Sequence, residues 1–172
     1  MLLPFGYVFM YEFFDMIKDD IYFMKKALSC AKAAAAAGEI PIGAVIVKDG
    51  EIISTGRNMR EKKKNALLHA EMIAIDRACK KLDSWRLNDC TIYVTLEPCP
   101  MCAGAIVNAR ISRVVFGCRD SKAGSFGSVI DLADCNLNHN YEVKSGVLEN
   151  ECASLLSDFF VSLRKRPKGT KR

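Results

Sequence analysis

Four residues in two short stretches have the types and spacing that metal-dependent chemistry needs. The stretch "LLHAEMIAI" carries His69 and Glu71, and "TLEPCPMCAGAI" carries Cys99 and Cys102. One imidazole and two thiolates together select zinc by softness, and three protein ligands leave a fourth tetrahedral position for water. A site left open in this way is catalytic, and Glu71 beside it is suited to act as general acid and base. The pattern predicts a hydrolytic site with one zinc ion per chain.

Two other interpretations give these residues no catalytic role. In the first, Cys99 and Cys102 are buried free thiols, which is a common fate of cysteine. In the second, the zinc is structural, and its fourth ligand is another cysteine or His139, the only other histidine. All eight cysteines lie in segments that otherwise follow helix and strand patterns, unlike the spacing in small secreted scaffolds. We therefore expect reduced thiols and a cytoplasmic protein.

The two halves of the site have to be brought together by the starts of two helices. Cys99 and Cys102 are three positions apart where a proline-rich turn opens a helix, so their Cβ atoms project about 5–6 Å apart from one face. His69 and Glu71 are two positions apart, and such residues diverge by about 200° inside a helix. They can share a site only beyond the helix N-terminus. We expect both helix dipoles to favour an anion bound there.

Hydrophobic periodicity predicts strands and helices in alternation around this site. The predicted helices span residues 20–37, 69–82, 99–110 and 149–166, with a short helical piece after a loop at 119–128. The predicted strands span residues 42–47, 51–56, 91–96, 113–117 and 141–147, and a polar loop spans 58–66. Asp49-Gly50 joins the first two strands as a hairpin. This order predicts an α/β fold with a mixed sheet and helices on both faces.

The first 19 residues are apolar but do not resemble a targeting segment. They lack a positively charged start and a small-residue cleavage site, and Glu12 and Asp15 interrupt them short of the roughly 20 residues of a membrane span. We expect no membrane association. We interpret residues 1–19 as an extension that packs on the surface, is disordered, or reflects a start codon nearer Met10 or Met16.

The other end of the chain is strongly basic. The last nine residues, "RKRPKGTKR", hold six of the 25 lysines and arginines and no acidic residue. A block of this kind commonly marks a solvated or disordered end. Its commonest functional use is to bind a polyanion, so nucleic acid is one predicted partner.

The motifs around the candidate ligands carry a resemblance to a known family. "HAE" followed by "PCPMC" matches the H-x-E and P-C-x-x-C signature of zinc-dependent nucleoside and nucleobase deaminases. Across residues 20–166, with "IPIGAVIV", "GRN", "VVFGCRD" and "SGVLENEC" as further matches, the chain resembles the bacterial tRNA-specific adenosine deaminases. The resemblance implies a deaminase domain at 20–166 between the extension and a basic tail at 167–172.

That resemblance also implies a fold and an activity. The fold is a cytidine-deaminase-like three-layer α/β/α sandwich around a mixed five-stranded sheet, and the active form is a homodimer. The reaction is hydrolytic deamination of adenosine to inosine at the wobble position of a tRNA anticodon. His69, Cys99 and Cys102 would bind zinc in this family's manner, and Glu71 would carry protons.

Substrate contacts are implied as well. Asn58, in "GRN", would hydrogen-bond the flipped base, and the backbone near Ala70 and Pro98 would line the pocket. The remaining contacts with the anticodon loop fall on Asp120, Lys122, His139, Phe159 and Phe160. Structural alternatives are a turn cap for the asparagine, loop closure for the aspartate, an exposed loop position for the histidine and core packing for the phenylalanines. We expect at least one of the two rings to be buried.

Two functional alternatives stay open at this point. A zinc deaminase of a free base or nucleoside, such as guanine or cytidine, needs the same metal site but no basic tail. A non-catalytic, zinc-stabilised binding module needs the ligands but not Glu71. Ligand spacing alone does not reveal which base is deaminated.

Overall fold

The computed structural model describes the backbone of residues 5–165 and the side chains of residues 20–165. The predicted basic tail at 167–172 lies outside the described residues. The elements in chain order are α1 (Phe5–Ala36), β1 (Gly43–Lys48), β2 (Glu51–Arg57), α2 (Arg60–Lys63), α3 (Ala70–Leu82), β3 (Cys90–Leu96), α4 (Pro100–Asn108), β4 (Arg113–Cys118), β5 (Glu142–Lys144) and α5 (Glu149–Arg164).

The five strands form one mixed sheet in the order β2-β1-β3-β4-β5. Strand β1 is antiparallel to β2 and β3, whereas β3, β4 and β5 run parallel. The predicted hairpin between β1 and β2 is confirmed. Its turn residues Asp49 and Gly50 have φ values of 50° and 74°, a left-handed conformation that aspartate tolerates and glycine favours.

Helices cover both faces of the sheet, which confirms the predicted three-layer α/β/α sandwich. Helices α1 and α5 pack on one face, and α3 and α4 pack on the other. Successive side chains of a strand point to opposite faces, so strand β1 contributes to both cores. Val45 and Val47 face α1, while Ala44 and Ile46 face α3. The central strands are therefore apolar on both sides, as in sheets covered by two helical layers.

Two local predictions between the main elements are wrong. The polar loop at 58–66 contains the short helix α2, whose first turn is held by the distant carboxylate of Glu39. The short helical piece predicted after residue 128 is absent, and the described chain forms turns there. The carboxylate of Asp131 accepts a hydrogen bond from the amide of Ala133, a local bond that competes with helix formation. Strand β5 is also shorter than the predicted strand at 141–147.

Helix α1 begins earlier than the sequence pattern indicates. It starts at Phe5, not at Asp20, and ends at Ala36, two residues before Gly38 with its φ of 80°. The boundary between an extension and the domain at residues 19 and 20 therefore stays a prediction. Within residues 5–165, no helix is both long enough and apolar enough to cross a membrane.

Candidate active site

The site forms where α3 and α4 begin, beyond the ends of the strands that precede them. His69 is the residue before α3, with φ −74° and ψ 158°, and Cys99 is the residue before α4, with φ −74° and ψ 169°. Neither side chain caps its own helix. Pro100 occupies the first turn of α4, where a missing N–H costs nothing and a fixed φ suits the helix.

Close packing of α3 on the sheet sets the position of His69. Gly56 of β2 faces the start of this helix, and a Cβ atom at Gly56 would lie 2.0 Å from the carbonyl oxygen of Ala70. Only glycine allows the backbones of β2 and α3 to approach this closely. The helix start is therefore fixed against the sheet one residue after the candidate ligand.

The three predicted ligands come together. The Nδ1 atom of His69 lies 3.6 Å from the Sγ atoms of both Cys99 and Cys102, and all three donor atoms lie within 4.8 Å of one another. Bond lengths of about 2.3 Å to sulfur and about 2.0 Å to nitrogen place donors around a tetrahedral zinc roughly 3.5–3.8 Å apart. Both the donor types and their spacing fit zinc. His139 does not belong to this cluster.

The pKa values of the two thiols are shifted in opposite directions. A hydrogen bond from the Cys102 thiol lowers the pKa of Cys99 to about 4, and a further hydrogen bond with His69 acts in the same direction, against the effect of burial. The same contact with Cys99, together with burial, raises the pKa of Cys102. The contact with Cys99 also raises the pKa of His69. A lowered pKa favours the thiolate form of Cys99, which is the form of cysteine that binds a metal.

Glu71 lies beside the three ligands in the first turn of α3. Its side chain is buried, and its Oε2 atom accepts no hydrogen bond from any residue that the structure describes. Burial raises the pKa of this carboxyl group to about 7. An unpartnered buried carboxyl oxygen is costly in a purely structural position, so the arrangement indicates a group that exchanges protons with a ligand.

A cavity of about 410 Å³ opens onto the cluster. His69, Glu71 and Cys99 lie on its floor, and the walls include Arg60, Arg119, Asp120, Lys122, Leu156 and Phe160. A structural zinc site is closed by four protein ligands, whereas here two of the three donor residues, His69 and Cys99, line a cavity. The geometry supports the catalytic interpretation over the structural one.

Two buried carboxylates hold the loops that form opposite walls of this cavity. On one side, Glu39 accepts hydrogen bonds from the amides of Glu61 and Lys62 at the start of α2. On the other side, Glu97 accepts hydrogen bonds from the amides of Asp120, Phe126 and Ser128, and from the Ser128 hydroxyl. These bonds lower the pKa of Glu97 even though its burial acts in the opposite direction.

Three of the predicted substrate contacts lie on the cavity wall. They are Asp120, Lys122 and Phe160. Asp120 also closes its own loop, because its carboxylate accepts a hydrogen bond from the amide of Lys122. Phe160 is 37% exposed, whereas Phe159 is buried in the core, which confirms that at least one ring of the pair is buried.

The other predicted contacts have mainly structural surroundings. Asn58 is buried, and its amide nitrogen lies 3.5 Å from Oε2 of Glu39. Ala70 is buried at the start of α3, and the carbonyl oxygen of Pro98 accepts a hydrogen bond from the amide of Ser125. His139 is hydrogen-bonded through Nε2 to the carbonyl oxygen of Ile111, just before β4 and therefore at the opposite end of the sheet from the cavity.

Sequence reasoning missed four residues that shape the cavity. Arg60 and Arg119 lie on its walls, and Glu39 and Glu97 hold the loops that carry those walls. Charged residues in loops give no periodic signal from which their contacts could be predicted. The only available signal was position, since Glu97 stands two residues before Cys99 and Glu39 directly precedes "IPIG".

Comparison with known proteins places the chain among deaminases. The profile of the MafB19-like deaminase family matches residues 18–164. The chain is 51% identical over 158 residues to the tRNA-specific adenosine deaminase of Bacillus subtilis (strain 168), an alignment covering 91% of this chain and 98% of the relative. It is 47% identical over 147 residues to the enzyme of the same name from Haemophilus influenzae, covering 84% and 85%.

Solved structures give the same result. A structure from a study of A-to-I editing by tRNA:A34 deaminases at the wobble position of transfer RNA is 41% identical, with a TM-score of 0.75 over 78% of this chain and 99% of the other. A guanine deaminase from Bacillus subtilis is 30% identical, with a TM-score of 0.55 over 87% and 96%.

Proposed function

The chain belongs to the family of tRNA-specific adenosine deaminases, and on that premise we propose that it deaminates adenosine to inosine at the wobble position of a tRNA anticodon. The observation that carries this proposal is the open cluster of His69, Cys99 and Cys102 with the unpartnered carboxyl oxygen of Glu71 beside it. The predicted hydrolytic chemistry needs both parts together.

The cluster would hold zinc, one ion per chain. His69 would bind through Nδ1, and the two cysteines through their thiolate sulfurs. Zinc at such a site supplies a water molecule that loses a proton near neutral pH. The starts of α3 and α4 hold the three ligands on rigid elements, and the cavity leaves room for the target base opposite them.

Glu71 transfers the protons in the proposed reaction. Its Oε2 atom accepts a proton from the attacking water as the new carbon–oxygen bond forms at C6 of adenine, and the carboxyl group delivers that proton to ring nitrogen N1. A second proton passes through the same oxygen to the exocyclic amine, which leaves as ammonia when the carbon–nitrogen bond breaks. Water and adenosine thus become inosine and ammonia.

A base within a duplex could not enter a cavity of this size. An anticodon loop is already unpaired, so turning one nucleotide outwards costs less there than in a helix. Within the cavity, Phe160 offers an aromatic surface and Asp120 and Lys122 offer polar groups to the flanking nucleotides. Hydrogen bonding of the base by Asn58, and contacts by Ala70, Pro98, His139 and Phe159, remain part of the proposal.

Assembly and location complete the proposal. We expect a homodimer, as the family resemblance implies, and a cytoplasmic protein, where tRNA and reduced thiols occur together. The dimer can be measured by sedimentation of the purified protein.

The function is tested by incubating the purified, zinc-loaded protein with tRNA, adenosine, guanine and cytidine separately. We expect ammonia release and inosine formation with tRNA alone. Release of ammonia from guanine or cytidine, with none from tRNA, would assign the chain to the alternative class of free-base or nucleoside deaminases. Absence of release from all four substrates, in protein with a full zinc content, would favour the non-catalytic binding module.

A further inference from the structure

A basic segment of the chain begins at the cavity wall. Helix α2 and the residue that follows it, residues 60–64, read "REKKK", with four basic residues and one acidic residue. Arg60 lines the cavity itself. Lys62, Lys63 and Lys64 are exposed, and the lone acidic residue, Glu61, pairs with Arg60 and Lys64.

This segment is held in place from inside the protein. Met59, the residue before α2, makes no side-chain cap, so two amides of the first turn lack a local acceptor. The buried carboxylate of Glu39 takes that role, with 2.6 Å from Oε1 to the Lys62 amide and 3.1 Å from Oε2 to the Glu61 amide. A four-residue helix is not stable alone, so these bonds fix where the lysines stand.

We propose that the segment 60–64, held by Glu39, contacts the phosphates of the RNA substrate next to the nucleotide that enters the cavity. The inference rests on the proposed function. Within the described part of the chain, Lys62 and Lys63 form no ion pair, so their charges are available to a ligand. Arg119 and Lys122, from the loop after β4, line the cavity together with Arg60, so basic residues from two separate segments line it.

An RNA strand fits this charge distribution better than a free base does. When one nucleotide turns into a cavity, its strand continues on both sides with a phosphate at each linkage. The lysines and arginines in and beside the cavity can neutralise these phosphates and release bound counterions. A free nucleobase carries no phosphate and would leave the segment 60–64 without a partner.

The test compares two matched double variants of the full, zinc-loaded chain. Lys62→Gln/Lys63→Gln removes two charges from the segment, and Lys80→Gln/Lys81→Gln removes two from the last turn of α3, roughly 15 Å along the helix from the site. RNA affinity is measured at several salt concentrations with an anticodon stem-loop. We expect the first pair to flatten the log–log salt slope by about 1.4, at about 0.7 per lost contact, and the second to leave it unchanged.

The outcomes separate this inference from the proposed function. If the unmodified chain forms no inosine in the stem-loop, the proposed function fails. If it does, but Lys62→Gln/Lys63→Gln keeps the salt slope of the unmodified chain, or the α3 control flattens it equally, the inference is wrong. A changed sedimentation coefficient with an unchanged slope would make the segment a subunit contact instead.

A second variant tests whether Glu39 holds the segment 60–64 in place. Glu39→Gln replaces one acceptor oxygen with a donor that faces a backbone amide, so we expect faster hydrogen exchange at the Glu61 and Lys62 amides and a higher KM for RNA. If Glu39→Gln raised KM while hydrogen exchange at the Glu61 and Lys62 amides stayed slow, Glu39 would not act through the segment 60–64.

Discussion

Gly124 packs directly against the carboxylate of Glu97, and a Cβ atom at Gly124 would lie only 2.4 Å from its Oε2 atom. Glu97 is buried two residues before Cys99 and binds the backbone of the following loop at Asp120, Phe126 and Ser128. The loop that carries one cavity wall and the turn that carries a metal ligand are thus one packed unit.

We therefore expect Gly124→Ala to damage the cavity wall while sparing the metal cluster. The added methyl group must displace a carboxylate that already makes several hydrogen bonds, which costs about 1–3 kcal/mol of unfolding free energy. The measurement is thermal unfolding together with KM for RNA, which should rise, and zinc content, which should not change.

Gly104→Ala is the matched control for this change. Gly104 lies in α4, and a Cβ atom there would meet nothing within 4 Å. Alanine favours a helix over glycine by up to about 1 kcal/mol, so this variant should be as stable as the original chain or more so. If Gly124→Ala were as stable as the original chain, the close packing of Gly124 against Glu97 would be contradicted.

Glu71→Gln should separate catalysis from structure. The amide keeps the shape of the side chain but cannot carry the proton between water and base, so we expect kcat to fall by about 10²–10⁴. Zinc content and the melting temperature should stay close to those of the unmodified chain. Glu51→Gln, an exposed change in the β1–β2 hairpin, is the control and should leave kcat unaltered. Substantial activity in the Glu71 variant would exclude this residue as proton carrier.

The metal site was predictable because its ligands and Glu71 lie in two short sequence motifs. His69 and Cys99 each stand at a helix start that the turn residues and periodicity indicate, and two parallel strands place these starts at one edge of the sheet. The layers of the fold followed from the same alternation, since the central strands are apolar on both faces.

The cavity walls were not predictable in the same way. Helix α2 exists because Glu39 binds its first turn from outside the segment, and no pattern within residues 58–66 reveals that carboxylate. The chain after residue 128 has a helix-like composition but forms turns, since Asp131 bonds its own backbone. Both differences arise from side-chain contacts that hydrophobic periodicity does not record.

Cys99→Ala should abolish stoichiometric zinc binding. Two remaining donors do not complete a stable site, and the helix start loses the sulfur atom that the structure places 3.6 Å from Nδ1 of His69. Elemental analysis of protein purified without chelators should give about one zinc per original chain and well under half of that in the variant. Cys135→Ala removes an exposed thiol outside the cluster and should keep the full metal content. Equal zinc in both variants would refute the ligand assignment.

Asp20 joins the first helix to three strands of the sheet. Its buried carboxylate accepts hydrogen bonds from Arg113 at 2.7 and 3.1 Å, from Lys144 at 2.7 Å and from the Tyr93 hydroxyl at 2.9 Å. Burial alone would raise the pKa of this carboxyl group, but the hydrogen bonds and the positive charge of Arg113 outweigh it, so the pKa is lowered. Folding therefore favours the ionised form.

We expect Asp20→Asn to destabilise the protein by about 3 kcal/mol at neutral pH, because Arg113 then lacks its buried counterion. The folded-state pKa of Asp20 lies below its unfolded value of about 3.9, so its contribution is complete above that value and is lost as pH falls through the folded pKa. Urea unfolding from pH 7 to pH 3 gives the free energy of unfolding of the original chain and of Asp20→Asn. The difference between the two should be constant above about pH 5 and should become smaller below about pH 4. Glu142→Gln removes an exposed partner of the same arginine and should change stability by well under about 1 kcal/mol. A gap that stays constant down to pH 3 would show that the charge of Asp20 does not support the fold.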